Sequence, residues 1–159
     1  MNRTLPLLLA LALPALAHAA PFRQGSFRPS LAIGGDSTGF GAGIGAAYCL
    51  VDGLEIEAQV FHWFGDPAYT QLSPGARYVF LGLDAVLPYV GAFYRRQFVH
   101  DDAYVDADFV GGRAGVFLPV GGRTFVGLGL GYERRLDCQL PDEDDCDGFF
   151  PELAVTLSL

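Results

Sequence analysis

The chain contains no lysine: all 10 of its basic residues are arginine, set against 18 aspartates and glutamates. So little positive charge gives no track for a phosphate backbone, which excludes nucleic-acid binding. Charge is scarce altogether, at 18%, and the longest strongly polar stretch is confined to Asp137–Gly148. Long apolar runs are also missing after the first twenty residues. No later stretch approaches the roughly 20 apolar residues that a helix needs to cross a bilayer, so a spanning helix is excluded there. Cysteine and histidine number three each, with no cluster at metal-ligand spacing. No cofactor and no tight metal site are expected.

The first residues have the layout of an export signal. Asn2 and Arg3 form a short basic start, Leu5–Ala17 is apolar, and Ala17-His18-Ala19 supplies a small-x-small cleavage pattern. Residues 1–19 are read as a cleaved signal peptide and 20–159 as one exported domain, since Pro14 interrupts the run and leaves it short for an anchor. Cleavage removes Arg3, leaving nine arginines against 18 acidic residues, a net charge of −9. In an oxidising compartment Cys138 and Cys146, which bracket one acidic loop, are expected to form a local disulfide. Cys49 is left over.

From Phe27 onward the chain divides into eight segments of alternating character. The expected strands are Phe27–Gly35, Thr38–Leu50, Gly53–Gly65, Ala68–Phe80, Val86–Phe98, Tyr104–Leu118, Thr124–Leu136 and Phe149–Leu159. Leu50–Gly53, Gly82–Ala85 and Pro119–Gly122 are tight connections, whereas Val99–Ala103 and Asp137–Gly148 are longer and acidic. Alternation of short turns with longer loops is the order of an even-stranded membrane barrel whose termini are both periplasmic.

Because successive side chains on a strand point to opposite faces, each segment splits into two sets. In the third, Leu54, Ile56, Ala58, Val60, His62 and Phe64 oppose Glu55, Glu57, Gln59, Phe61 and Trp63. In the seventh, Val126, Leu128, Leu130 and Tyr132 oppose Gly127, Gly129, Gly131, Glu133 and Arg135. The polar set is rich in glycine, which suits a cramped interior and is a poor surface for a solvated strand. The apolar set ends in aromatics: Phe40, Phe64, Tyr94, Phe98, Tyr132 and Phe149 toward the outside, Tyr48, Tyr78 and Phe80 toward the periplasm. Two aromatic rings bounding an aliphatic band match the interfacial girdles of a bilayer-spanning barrel. The fold class is therefore all-β, an eight-stranded antiparallel up-and-down transmembrane β-barrel.

Pro74-Gly75-Ala76-Arg77-Tyr78-Val79-Phe80, Leu87-Pro88-Tyr89-Val90-Gly91-Ala92 and the closing alternating strand resemble the small outer-membrane barrels of the OmpA and OmpX type, the outer membrane protein β-barrel domain families. The resemblance extends over 20–159. It implies a bacterial outer-membrane location, contact with outer-membrane lipid and lipopolysaccharide, and insertion by the barrel-assembly machinery. Such barrels usually close on an aromatic residue that this machinery reads, whereas Leu159 stands here.

Nine charged residues fall on the inward set: Arg28, Glu55, Glu57, Arg77, Arg95, Arg113, Glu133, Arg135 and Glu152. Eight strands leave an interior about wide enough to be filled by its own side chains, so these residues are expected to form a paired network that plugs the lumen. Outward Arg96 and Arg134 lie beside the external aromatic ring, where guanidinium groups suit lipopolysaccharide phosphates. The acidic loops, Asp101, Asp102, Asp106 and Asp108, then Asp137, Asp142, Glu143, Asp144, Asp145 and Asp147, are read as solvated, since position twelve of a calcium loop falls on Ala154. Neither His62 nor His100 has a serine two positions away, so no nucleophile and base pair is visible. The function expected is non-enzymatic, in envelope integrity or surface interaction. The alternatives are a small-solute or ion channel and a soluble periplasmic barrel binding an apolar ligand.

Overall fold

Period-two alternation folds the chain into eight antiparallel strands: β1 (Phe27–Asp36), β2 (Gly39–Val51), β3 (Leu54–Trp63), β4 (Tyr69–Val79), β5 (Leu87–Val99), β6 (Ala107–Gly121), β7 (Thr124–Arg135) and β8 (Asp147–Leu157). The structure, a computed structural model, describes residues 22–36, 39–83, 85–101, 105–121, 123–138 and 146–157. Residues 1–19, expected to be a signal peptide, and Asp102, residues 142–145 and Leu159 lie outside the described residues. Each strand pairs with its neighbour in sequence, and β8 returns to β1 to close the barrel. Closure leaves no free sheet edge, the condition under which strands can cross hydrocarbon.

The parity expected from the sequence is the parity observed. Leu31, Ile44, Val60, Leu72, Leu128 and Leu153 are exposed on the outer wall, while Arg28, Glu55, Ser73, Arg77 and Arg113 are buried within. The aromatic ends of the outer wall pack in pairs: Phe40 and Phe64 at 5.0 Å and Tyr132 and Phe149 at 5.1 Å at the loop end, Tyr78 and Phe80 at 5.0 Å at the turn end.

Local chemistry sets the deviations from regular pairing. Gly53 closes the β2–β3 turn at φ 80°, where a Cβ would meet the Val79 carbonyl oxygen at 2.5 Å, so only glycine fits. Pro74 has no N–H to give, and the β4–β5 ladder skips Ser73 and Pro74 between Leu72↔Arg96 and Gly75↔Phe93. The sixth strand runs on to Gly121, through residues expected to turn. A bulge between Pro119 and Gly121 takes up the extra residue, with Pro119 opposite Phe125 and Gly121 opposite Thr124. β8 begins at Asp147, two residues early, because Asp147 and Gly148 continue the ladder opposite Arg134 and Glu133.

Candidate functional site: the lumen

The lumen is filled in three tiers, and the lowest is apolar. Phe22, Cys49, Val79, Tyr89, Phe117 and Phe125 form a buried cluster, with Leu81 and Leu87 against it. Phe22 belongs to the segment before β1 and inserts its ring into the turn end, 5.2 Å from Phe117 and 5.3 Å from Phe125. Main-chain bonds hold it there: the Gly53 N–H donates to the Phe22 carbonyl, and Gly25 N–H to that of Cys49. Arg23 and the Gln24 N–H both reach Asp52 in the β2–β3 turn, at 2.6 and 2.9 Å. These donors hold the exposed Asp52 carboxyl below the usual carboxylate range, the Gln24 backbone N–H foremost and the Arg23 side chain next. Phe22 is a lumen residue that sequence reasoning missed; its signal was a lone aromatic ahead of the first strand.

Above this floor, arginines and glutamates from five strands converge. Arg28 pairs with Glu55, both almost wholly buried, and its guanidinium lies 4.0 Å above the Phe22 ring centroid. Arg77 is the hub, 2.7 Å from Glu57, 3.4 Å from Glu152 and 3.9 Å from Glu55. Arg113 joins the same two outer carboxylates, Glu57 at 3.4 Å and Glu152 at 3.3 Å. Three arginines thus face three glutamates, and each charge finds an opposite one, as desolvated ions require. A cavity of about 60 Å³ beside them is bordered by Arg28, Glu57, Arg77, Arg113 and Glu152.

The third tier opens toward the loop end as a cup of about 330 Å³. Arg95 crosses it to Glu133 at 2.6 Å and stacks near Phe93 and Phe150. The Gln71 amide donates to Gln97 at 3.1 Å, and Trp63 lies parallel to Tyr69 with ring centroids 5.9 Å apart. The inward glycines of β7 make room for these rings, since a Cβ on Gly127 would come within 2.9 Å of Phe117. Arg135, placed in the network by its parity, also points inward but stands apart. Among the described residues it has no ion-pair partner, and its Nε is buried without a hydrogen bond.

The outer wall differs in detail from the expectation. Arg96 is engaged by carboxylates, Asp108 at 2.9 Å and Asp106 at 3.5 Å, and Tyr94 donates to the same Asp108. Arg134 is exposed opposite Asp147, which accepts from Tyr132 at 3.0 Å. Thr70 sits between two histidines, its Oγ1 2.9 Å from His62 Nδ1 and 2.8 Å from His100 Nε2. A local His and Ser pattern does not find this chain, because its members come from β3, β4 and the end of β5. Cys138 and Cys146 are disulfide-bonded with Cα atoms 5.6 Å apart, and Cys49 is free and buried.

No protein-family model and no curated protein matches the chain. Among solved structures it is similar to the N-terminal β-barrel domain of OprF from Pseudomonas aeruginosa, with TM-score 0.66 and 17% identity over 86% of this chain and 98% of that one. It is also similar to Neisserial surface protein A, with TM-score 0.52 and 18% identity over 84% of this chain and 93% of that one. Likewise it is similar to the outer membrane protein OprG from Pseudomonas aeruginosa, with TM-score 0.54 and 12% identity over 86% and 97%. The shared fold is that of the small, OmpA- and OmpX-like eight-stranded outer-membrane barrels.

Proposed function

We propose that this chain is a non-enzymatic integral barrel of the bacterial outer membrane, delivered by a cleaved signal peptide and acting in envelope integrity or surface interaction. The observation that carries the reading is the double closure of the lumen. A path from the cup to the turn end has to cross the Arg77 hub and then the Phe22 floor, and both are buried. That closure argues against the channel alternative, since a through-going pore needs a continuous wet path. The exposed aliphatic band between two sets of paired aromatics supports lipid contact over the soluble alternative. Of the two outward arginines, Arg134 is the one available for lipopolysaccharide phosphate, because Arg96 is already held by two aspartates. The barrel-assembly machinery is the expected partner in insertion.

Reconstitution in planar bilayers tests the closure. Wild type should show no steady conductance, and Phe22→Ala combined with Arg77→Ala should introduce one. A large, stable, ion-selective current from wild type would replace this reading with the channel.

A further inference from the structure

Three side chains of the outer face meet at one point near the loop end of the wall. His62 of β3 and Thr70 of β4 are direct cross-strand partners, and Thr70 stands opposite Phe98 of β5 on its other side. His100 follows β5 on the same face as Phe98, and its backbone N–H donates to the Ala68 carbonyl at 3.0 Å, which fixes it beside the start of β4. Phe64 packs edge-on against the His62 ring with centroids 4.4 Å apart. Both histidines of the expected exported domain are thereby brought to a single hydroxyl.

Their ring nitrogens face that hydroxyl: His62 Nδ1 lies 2.9 Å and His100 Nε2 2.8 Å from Thr70 Oγ1. A threonine hydroxyl has one proton to give, so it donates to one ring at most, and the lone pair of that ring already points into the shared space. The distances suit a metal ion. A divalent ion lies about 2.0–2.1 Å from an imidazole nitrogen and hence about 3.2 Å from the ring centroid. The two centroids are 5.6 Å apart, the spacing that an N–metal–N angle of about 120° produces. A right-angled N–metal–O corner with bonds of that length spans about 2.9 Å, close to both observed N···O distances.

We propose that His62, Thr70 and His100 form an open surface site for a divalent transition ion that prefers imidazole, Cu²⁺ or Zn²⁺, with the two ring nitrogens as ligands and the threonine hydroxyl as a weaker third. Binding needs no change of backbone. The hydroxyl keeps its proton and turns it away from the ion, and a ring that had donated to Oγ1 carries its proton on the other nitrogen instead. Imidazole ligands select against Ca²⁺ and Mg²⁺, which take oxygen donors, and Cu²⁺ is held more tightly than Zn²⁺. Among the described residues no group of three or more histidines, cysteines and carboxylates is placed to hold an ion. The remaining coordination positions therefore fall to water, and the ion exchanges. It ties the loop ends of β3, β4 and β5 together on the outer wall, where the lumen charges play no part.

The full barrel, folded in detergent micelles, is titrated with Cu²⁺ at neutral pH and read by electron paramagnetic resonance with resolution of the bound nitrogens. Wild type should take up one Cu²⁺ with two imidazole nitrogens, and excess Zn²⁺ should displace it while Mg²⁺ does not. Loss of a group that merely orients a ligand costs about 10–100-fold in affinity, so His62→Gln and His100→Gln should each raise the Kd about a hundredfold, leaving one nitrogen. Thr70→Val keeps both rings and the side-chain shape; it should preserve the two-nitrogen signal and raise the Kd about tenfold. Wild type also reads the site without substitution, because Zn²⁺ should protect both His62 and His100 from diethylpyrocarbonate, mapped by mass spectrometry. Oxygen ligands alone, affinity unchanged in both histidine variants, or histidine labelling that Zn²⁺ does not slow overturns the proposal.

Discussion

Arg77→Ala removes the one cation that, among the described residues, reaches Glu55, Glu57 and Glu152 together. Arg28 and Arg113 then face three carboxylates, and one buried negative charge has no partner. Breaking a buried ion pair from one side typically costs about 3–5 kcal/mol. Two features of the site act on that figure in opposite directions. The 60 Å³ cavity beside the hub admits water to the stranded carboxylate and lowers the cost. The Arg77 guanidinium also covers the Tyr89 ring at 4.6 Å and the Phe117 ring at 5.2 Å, and losing that contact raises it. A net loss of about 3 kcal/mol is expected. Urea unfolding in lipid vesicles, followed by Trp63 emission, reads it as a lower midpoint at unchanged slope. Arg77→Ala with Glu152→Gln restores charge balance and should recover most of the loss. A single variant within about 1 kcal/mol of wild type, the worth of a solvated surface pair, would refute the buried hub. So would a double variant less stable than the single.

Other substitutions test the remaining parts. Leu128→Arg puts a charge in the middle of the outer wall and should destabilise a membrane-inserted barrel by about 2–4 kcal/mol, measured by reversible unfolding in vesicles. Cys49 should resist maleimide in the folded barrel and react once it unfolds, and mapping of an unreduced digest should find only Cys138 and Cys146 linked. Acid should loosen the clamp on Phe22. The Asp52 carboxyl is held below its ordinary value of 3.8, so the clamp is fully formed above that pH and is lost as pH falls through the lowered value. Amide exchange at Gln24 should accelerate in that acid range, and Asp52→Asn should show the faster exchange already at neutral pH.

Strand number, face assignment and the aromatic ends were legible in the sequence because alternation with period two survives wherever one face is uniformly apolar. The inward charges were legible for the same reason: parity alone puts Arg28, Glu55, Arg77 and Arg113 on one side. Who pairs with whom was not, since Arg77 reaches Glu152 across the lumen from a strand distant in sequence. Parity puts Arg135 on the same side without saying what it meets, and among the described residues its Nε is buried without a hydrogen bond. The inward glycines were readable as a sign of crowding. What crowds them, Phe117 and Phe150, follows only from register. Phe22 lies before the first strand, where no periodicity exists to place it, and the Thr70 chain arises from cross-strand registers that local patterns do not encode.

The central claim is that the outer aliphatic band meets lipid while the polar set is enclosed, and collision accessibility of spin labels measures it most directly. Nitroxides placed singly at Leu31, Ile44, Leu128 and Leu153, in barrels reconstituted in bilayers, should collide freely with oxygen and hardly at all with a water-soluble nickel chelate. The depth should peak between the two aromatic rings. Ready collision with the nickel chelate at these four positions would mean that water covers the band, and the barrel would not be a membrane protein.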